Sequence, residues 1–118
     1  MAWQVEFYQT DDGKVPVESF LNSLPKPQRA KAVALIKLLE EQGPSLPFPY
    51  SSQVRGRLRE LRTQLGKTRL RLLYFADAHR TFVLLHGFVK TSGKLPESEI
   101  LTAERRMAAH TQMLQRRK

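Results

Sequence analysis

The chain has 118 residues, a formal charge of +9 and no cysteine, which suits one domain burying about 65% of its unfolded surface. Without thiols there is neither a disulfide framework nor a thiolate metal site, and a reducing compartment is the natural setting. No run approaches the ~20 apolar residues of a bilayer span, and no basic stretch precedes an apolar core at the N-terminus. A soluble, cytoplasmic protein is therefore expected.

Trp3 to Tyr8, "WQVEFY", is an apolar and aromatic run ending in the turn-rich "QTDDGK", and it predicts a first strand. "VPVESFLNSL" puts Val17, Phe20, Leu21 and Leu24 at helical spacing, with Pro16 suited to a first turn. Pro25 and Pro27 punctuate it. From there to Glu41, Ala32, Leu35, Ile36 and Leu39 form a second helical stripe that stops at Gly43-Pro44. The two segments predict a helical hairpin. "GPSLPFPYSS", with three prolines, reads as a loop that packs through Phe48 and Tyr50. Three strands are expected next: Gly56 to Arg62, Thr68 to Ala76 and Arg80 to Lys90. Turns at "QLGK" and Asp77-Ala78-His79 force them into an antiparallel meander. After the polar loop "TSGKL" and Pro96, Ile100, Ala103, Met107 and Leu114 mark a last amphipathic helix with a frayed basic tail, "QRRK". The fold class is α+β, in the order βααβββα, as a single domain over residues 1–118.

The charge is lopsided. Residues 1–54 hold five Lys/Arg against six Asp/Glu, and residues 55–118 hold fifteen against five. A half this basic points to a polyanion, nucleic acid before membrane, with solubility charge as the plain alternative. Strand alternation puts Leu70, Leu72 and Tyr74 on one face and Arg69, Arg71, Leu73 and Phe75 on the other. In the last strand it groups Arg80, Phe82, Leu84, His86, Phe88 and Lys90 against Thr81, Val83 and Leu85. Apolar residues on both faces imply helices over part of each, with the arginines at the rim of the sheet, lining a groove.

Several chemistries are missing. No glycine-rich phosphate loop follows a strand, His79, His86 and His110 are too scattered for zinc, and the few acids of the second half do not suggest a two-metal nuclease. No metal and no cofactor is expected. Glu97 and Glu99 suit the positive N-terminus of the last helix. Phosphate chemistry without a metal remains open, because RNA carries its own 2′-hydroxyl nucleophile. Cations that align the phosphodiester and neutralise developing charge could suffice. Arg71, Arg69 and Lys90 are the side chains placed there, each equally readable as a salt-bridge partner or rim cation. His86, among leucines, reads as a structural histidine ahead of a general base.

"GRLRELR", "RLLYF" and "VLLHGFVKTSGKLPESEILTAERR" resemble the RelE/ParE toxin superfamily in its phage-derived, HigB-like branch, and the resemblance extends back through "VPVESFLNSL" and "LLEEQG". Its most specific part is the ordered set Glu60-Leu61-Arg62, Arg71, Tyr74, His86-Gly87-Phe88, Lys90, Lys94, Pro96, Glu99-Ile100, Ala103 and Arg106. The resemblance implies a RelE-like fold and the toxin of a two-gene toxin–antitoxin pair. RelE-like members act as ribosome-dependent endoribonucleases, or mRNA interferases, that cut mRNA and inhibit translation. It implies Arg71, Lys90 and Arg62 as catalytic cations. The other basic residues of the second half, Arg55, Arg57, Arg59, Arg69 and Lys94, are expected to bind RNA. The implied partners are a helix-turn-helix, HigA-like antitoxin, the ribosome and mRNA.

Two departures qualify the likeness. Lys90 is followed by Thr91 where the branch pairs lysines, and the two first-strand lysines of RelE fall on Leu58 and Glu60. A lysine general base does not carry over. Glu60 is a candidate instead, although an ion pair with Arg62 or Arg71 is the favoured role for it. A ParE-like toxin that binds gyrase without cutting RNA, and a non-toxic nucleic-acid-binding module, are the alternatives. Oligomeric state is not legible.

Overall fold

Prolines and glycines delimit the elements much as the sequence predicts. The computed structural model describes residues 3–91 and 93–116. Strand β1 spans Gln4–Phe7, helix α1 Pro16–Ser23 and helix α2 Lys26–Gln42, followed by a 3₁₀ turn at Gly43–Ser45. Strands β2 (Ser51–Arg55), β3 (Leu58–Leu65), β4 (Thr68–Ala76) and β5 (Thr81–Lys90) follow, then helix α3 (Glu97–Arg116). Pro16 opens α1, where its missing N–H is no loss, and Pro27 does the same for α2, with Pro25 just before the helix. α2 stops at Gly43, whose φ of +59° suits glycine and whose N–H reaches the Leu39 carbonyl. A side chain there would also run into the Trp3 ring, 2.6 Å from the position of a Cβ. Of the expected basic tail, Gln115 and Arg116 are helical. Arg117 and Lys118 lie outside the described residues, as does Ser92 in the expected loop.

The five strands form one mixed sheet in the order β1-β5-β4-β3-β2, with β1 parallel to β5 and every other pair antiparallel. The expected order βααβββα is therefore corrected to βααββββα. The missed strand is β2, inside and just past the segment read as a loop. As the edge of the sheet it needs no apolar face, so its "SSQVR" carries little strand signal. The first meander strand begins at Leu58 instead of Gly56, because Gly56 turns the β2–β3 hairpin at positive φ.

Helices α1 and α2 cover one face of the sheet. Val17, Leu21, Leu35 and Leu39 pack there on Leu61, Leu70, Leu72, Tyr74, Phe82 and Leu84. Glycine at position 87 lets Phe20 sit against the sheet; a Cβ would overlap the Phe20 and Leu72 side chains. Helix α3 covers part of the other face, with Ile100, Ala103 and Met107 on Leu58, Leu73, Phe75, Val83, Leu85 and Phe88.

One irregularity decides which residues meet. Leu73 pairs with His86, but the next residue, Tyr74, pairs with Leu84. Leu85 is the extra residue of a β-bulge in β5. The bulge reverses the alternation, so His86, Phe88 and Lys90 leave the face of Phe82 and Leu84 expected for them. They join Arg71, Arg69 and Leu73 instead. The bulged Leu85 carbonyl accepts a hydrogen bond from Arg106 Nη1 of α3 at 2.9 Å, so the irregular backbone is not left unpaired.

Candidate nucleic-acid interface

Cross-strand pairing places the cations in rows on the α3 face. Arg62, Arg71 and Phe88 lie opposite one another on β3, β4 and β5; so do Gln64, Arg69 and Lys90; and so do Glu60, Leu73 and His86. α3 packs over Leu73, Phe75 and Val83 and reaches Phe88, and from there the first two rows run toward the Gly66 turn. The hydrogen bond from Arg62 N–H to the Tyr50 carbonyl, 2.8 Å, sets Tyr50 across from Arg62 at the near edge. The Arg62 guanidinium lies 5.0 Å over the Phe48 ring.

Arg71 is not a rim residue. It is 5% exposed, and Glu60, its partner from β3, is 8% exposed. Nε of Arg71 lies 3.2 Å from Glu60 Oε1, and Nη1 donates to the Leu70 carbonyl at 2.9 Å. The ion pair is poorly aligned, and Glu60 Oε1 is buried without a hydrogen bond. Burial pushes the Glu60 carboxyl above the usual glutamate range even though Arg71, Arg62 and Lys90 pull the other way. Burial likewise holds the Arg71 guanidinium below the usual arginine range against the attraction of Glu60. Both shifts run against the charged forms, so desolvation outweighs the mutual attraction, although the guanidinium keeps its charge.

Lys90 is half-buried beside them. Its ammonium is held below the usual lysine range by desolvation first, then by repulsion from Arg69, Arg71 and Arg62, with Glu60 opposing. Four cations and a single carboxylate thus share one end of the sheet. Such a cluster binds an oxyanion readily, because a bound anion relieves the repulsion among the cations.

Other basic residues assigned to RNA binding from the sequence stand apart. Arg55 donates to Glu97 and Glu104 of α3 at 2.8–3.3 Å, and these bonds hold its charged form firmly. Arg57 stacks 5.1 Å over Phe75 and donates to the Ala76 carbonyl. Arg59 pairs with Tyr74 on the opposite face and donates to Ser51 Oγ. Lys94 is exposed in the loop before α3.

His86 is the other candidate proton carrier, and its ring is fully engaged. Arg106 Nη1 can only donate, so Nδ1 accepts from it at 3.1 Å, and Nε2 donates to Glu99 Oε1 at 2.8 Å. Both ring nitrogens are thus occupied, and the histidine ties the bulge to α3. Arg106 carries no expected role in the sequence beyond its place in the family-like set. Phe48 and Tyr50 were expected to pack the loop, yet Leu46 is the residue buried there and both aromatics are exposed. Their signal in the sequence was weak, since an apolar run cannot reveal which of its members points outward. Among the described residues no group of three histidine or carboxylate side chains converges as a metal site would need, and no helix is long and apolar enough to cross a membrane.

Residues 19–108 match the family model described as phage-derived protein Gp49-like (DUF891). No curated protein matches the chain.

Proposed function

From the premise that this chain belongs to the phage-derived Gp49-like family, a toxin-like module of the RelE/ParE-like toxin superfamily, we propose that it is a HigB-like toxin that cuts mRNA on the ribosome. The observation that carries the reading is the convergence of Arg62, Arg69, Arg71 and Lys90 on one end of the sheet, with the Lys90 ammonium held down by desolvation and then by its cationic neighbours.

The chemistry is intramolecular. The RNA 2′-oxygen attacks its own phosphorus, its proton passes to water, and the bond from phosphorus to the 5′-oxygen breaks. A 2′,3′-cyclic phosphate and a 5′-hydroxyl end result. Lys90, a weaker base than an ordinary lysine, gives its proton to the departing 5′-oxygen more readily. Arg62 and Arg69 hold the phosphate oxygens. Arg71 adds fixed positive charge from beneath, and its Nη2, which makes no hydrogen bond among the described residues, is the nitrogen left to reach substrate. Glu60 serves as counter-ion to Arg71, and His86 is withheld from proton transfer by Arg106 and Glu99. Neither metal nor cofactor enters this scheme. An antitoxin with an acidic segment would cover the same cations, and its association would slow with added salt.

The test is mRNA cleavage in a translating extract with and without ribosomes. Wild-type protein is expected to cut only when ribosomes are present. Lys90→Met is expected to cut about 10²- to 10⁴-fold more slowly, the usual contribution of a general acid, with an unchanged melting temperature. Intact mRNA together with stalled gyrase would replace this reading with a gyrase-directed one.

A further inference from the structure

Phe48 is an apolar ring that the core does not use. It is 68% exposed, and Tyr50, two residues on, is 46% exposed. Both project from one tight turn, closed by hydrogen bonds from Tyr50 N–H and Ser51 N–H to the Pro47 carbonyl at 3.0 and 3.1 Å. Leu46 anchors the turn in the core, and Pro47 and Pro49 restrict its backbone on either side of Phe48. The ring is thus held out from the surface by a stiff support, at little further ordering cost when a ligand arrives.

Its neighbours are cationic. The Arg62 guanidinium covers the ring from 5.0 Å, and Arg62 continues across the sheet into Arg71, with Arg69 and Lys90 in the next row. A line of cations leading to an exposed aromatic ring matches a single nucleic-acid strand, in which each phosphate needs a cation and each base offers a π-face. A protein partner would favour a ring set among apolar neighbours, whereas this one is set beside a guanidinium.

We propose that Phe48, backed by Arg62 and flanked by Tyr50, is a stacking platform for one nucleobase of the single-stranded RNA whose phosphates bind Arg62, Arg69 and Lys90. The base lies against the open part of the ring, so Arg62, Phe48 and the base form one stack. The platform fixes where the strand sits and so which phosphodiester reaches Lys90. It recognises any base by its face and reads no hydrogen-bonding edge.

This inference rests on the RNA reading above, and binding measurements separate the two. The probes are a short labelled oligoadenylate and an abasic ribose-phosphate strand of equal length, titrated at several salt concentrations against wild type, Phe48→Ala and Phe48→Trp. Phe48→Ala is expected to weaken oligoadenylate binding about 10- to 100-fold, and Phe48→Trp to retain it. The salt dependence should not change, because no phosphate contact is lost. On the abasic strand all three proteins should bind alike. Equal oligoadenylate affinity for wild type and Phe48→Ala overturns the platform alone, as does an equal loss on the abasic strand. Wild-type protein that binds neither strand overturns the platform, while the RNA reading stands or falls on ribosome-dependent cleavage. Melting temperatures of the variants should match wild type, since the ring is outside the core.

Discussion

The two faces of the sheet solve different problems with the same strands. Under α1 and α2, strict alternation supplies Leu61, Leu70, Leu72, Tyr74, Phe82 and Leu84, and the helices cover them. The α3 face begins the same way with Leu73, Phe75, Val83 and Leu85, then turns cationic where α3 no longer covers it. There the Glu60–Arg71 pair is buried with poor alignment, and Lys90 sits among arginines that repel it. The first face gains stability from burial; the second gives some of it up to keep positive charge in place. Such perturbed, incompletely paired charges often mark a working surface.

The sharpest way to break this contrast is Arg71→Ala. It leaves Glu60 buried without its counter-ion and is expected to destabilise the fold by about 3–5 kcal/mol, measured by urea unfolding. Replacing the pair together, Glu60→Leu with Arg71→Met, removes both charges. It is expected to restore stability to wild type or above while abolishing the proposed mRNA cleavage. A double variant as unstable as Arg71→Ala would mean that the pair is a net structural support, and the contrast between the faces would lose its basis.

On the apolar face, Leu84→Ala opens a cavity at a fully buried position and is expected to lose about 2–5 kcal/mol. RNA affinity of the folded fraction should be unchanged, since the cations lie on the other side of the sheet. A parallel fall in RNA affinity would show that the faces are coupled.

The smallest effect is one of pH. Burial raises the folded-state pKa of Glu60 above its ordinary 4.5, so the folded protein holds that proton more tightly than the unfolded chain. Stability from this group is fully present below pH 4.5 and is lost as the pH rises through the folded pKa. Glu60→Gln should flatten that part of the stability–pH curve. An unchanged curve would assign the slope to another group.

Much of the architecture was legible because it depends on local chemistry. Proline and glycine mark both ends of α2 whatever packs beside it, and the apolar stripes of Val17 and Leu21 in α1 and of Leu35 and Leu39 in α2 follow from helical spacing alone. The β2 strand was not legible, since an edge strand can be polar on both sides. Arg62, Arg71 and Lys90 stood out as candidates by charge and resemblance, but their company did not. Arg55, Arg57 and Arg59 looked equivalent to them in sequence, and the structure ties each to a different partner.

The sequence by itself determined an α+β domain, its basic second half and the family signature, since composition, periodicity and punctuation are properties of neighbouring residues. Tertiary structure decided which face His86, Phe88 and Lys90 occupy. One inserted residue, Leu85, reverses every side chain after it, and period-two arithmetic on a single strand cannot detect a bulge that exists only relative to its partner. It also decided that Arg71 is buried and Phe48 exposed. Burial is set by what other elements bring, Glu60 from β3 in one case and no covering element in the other.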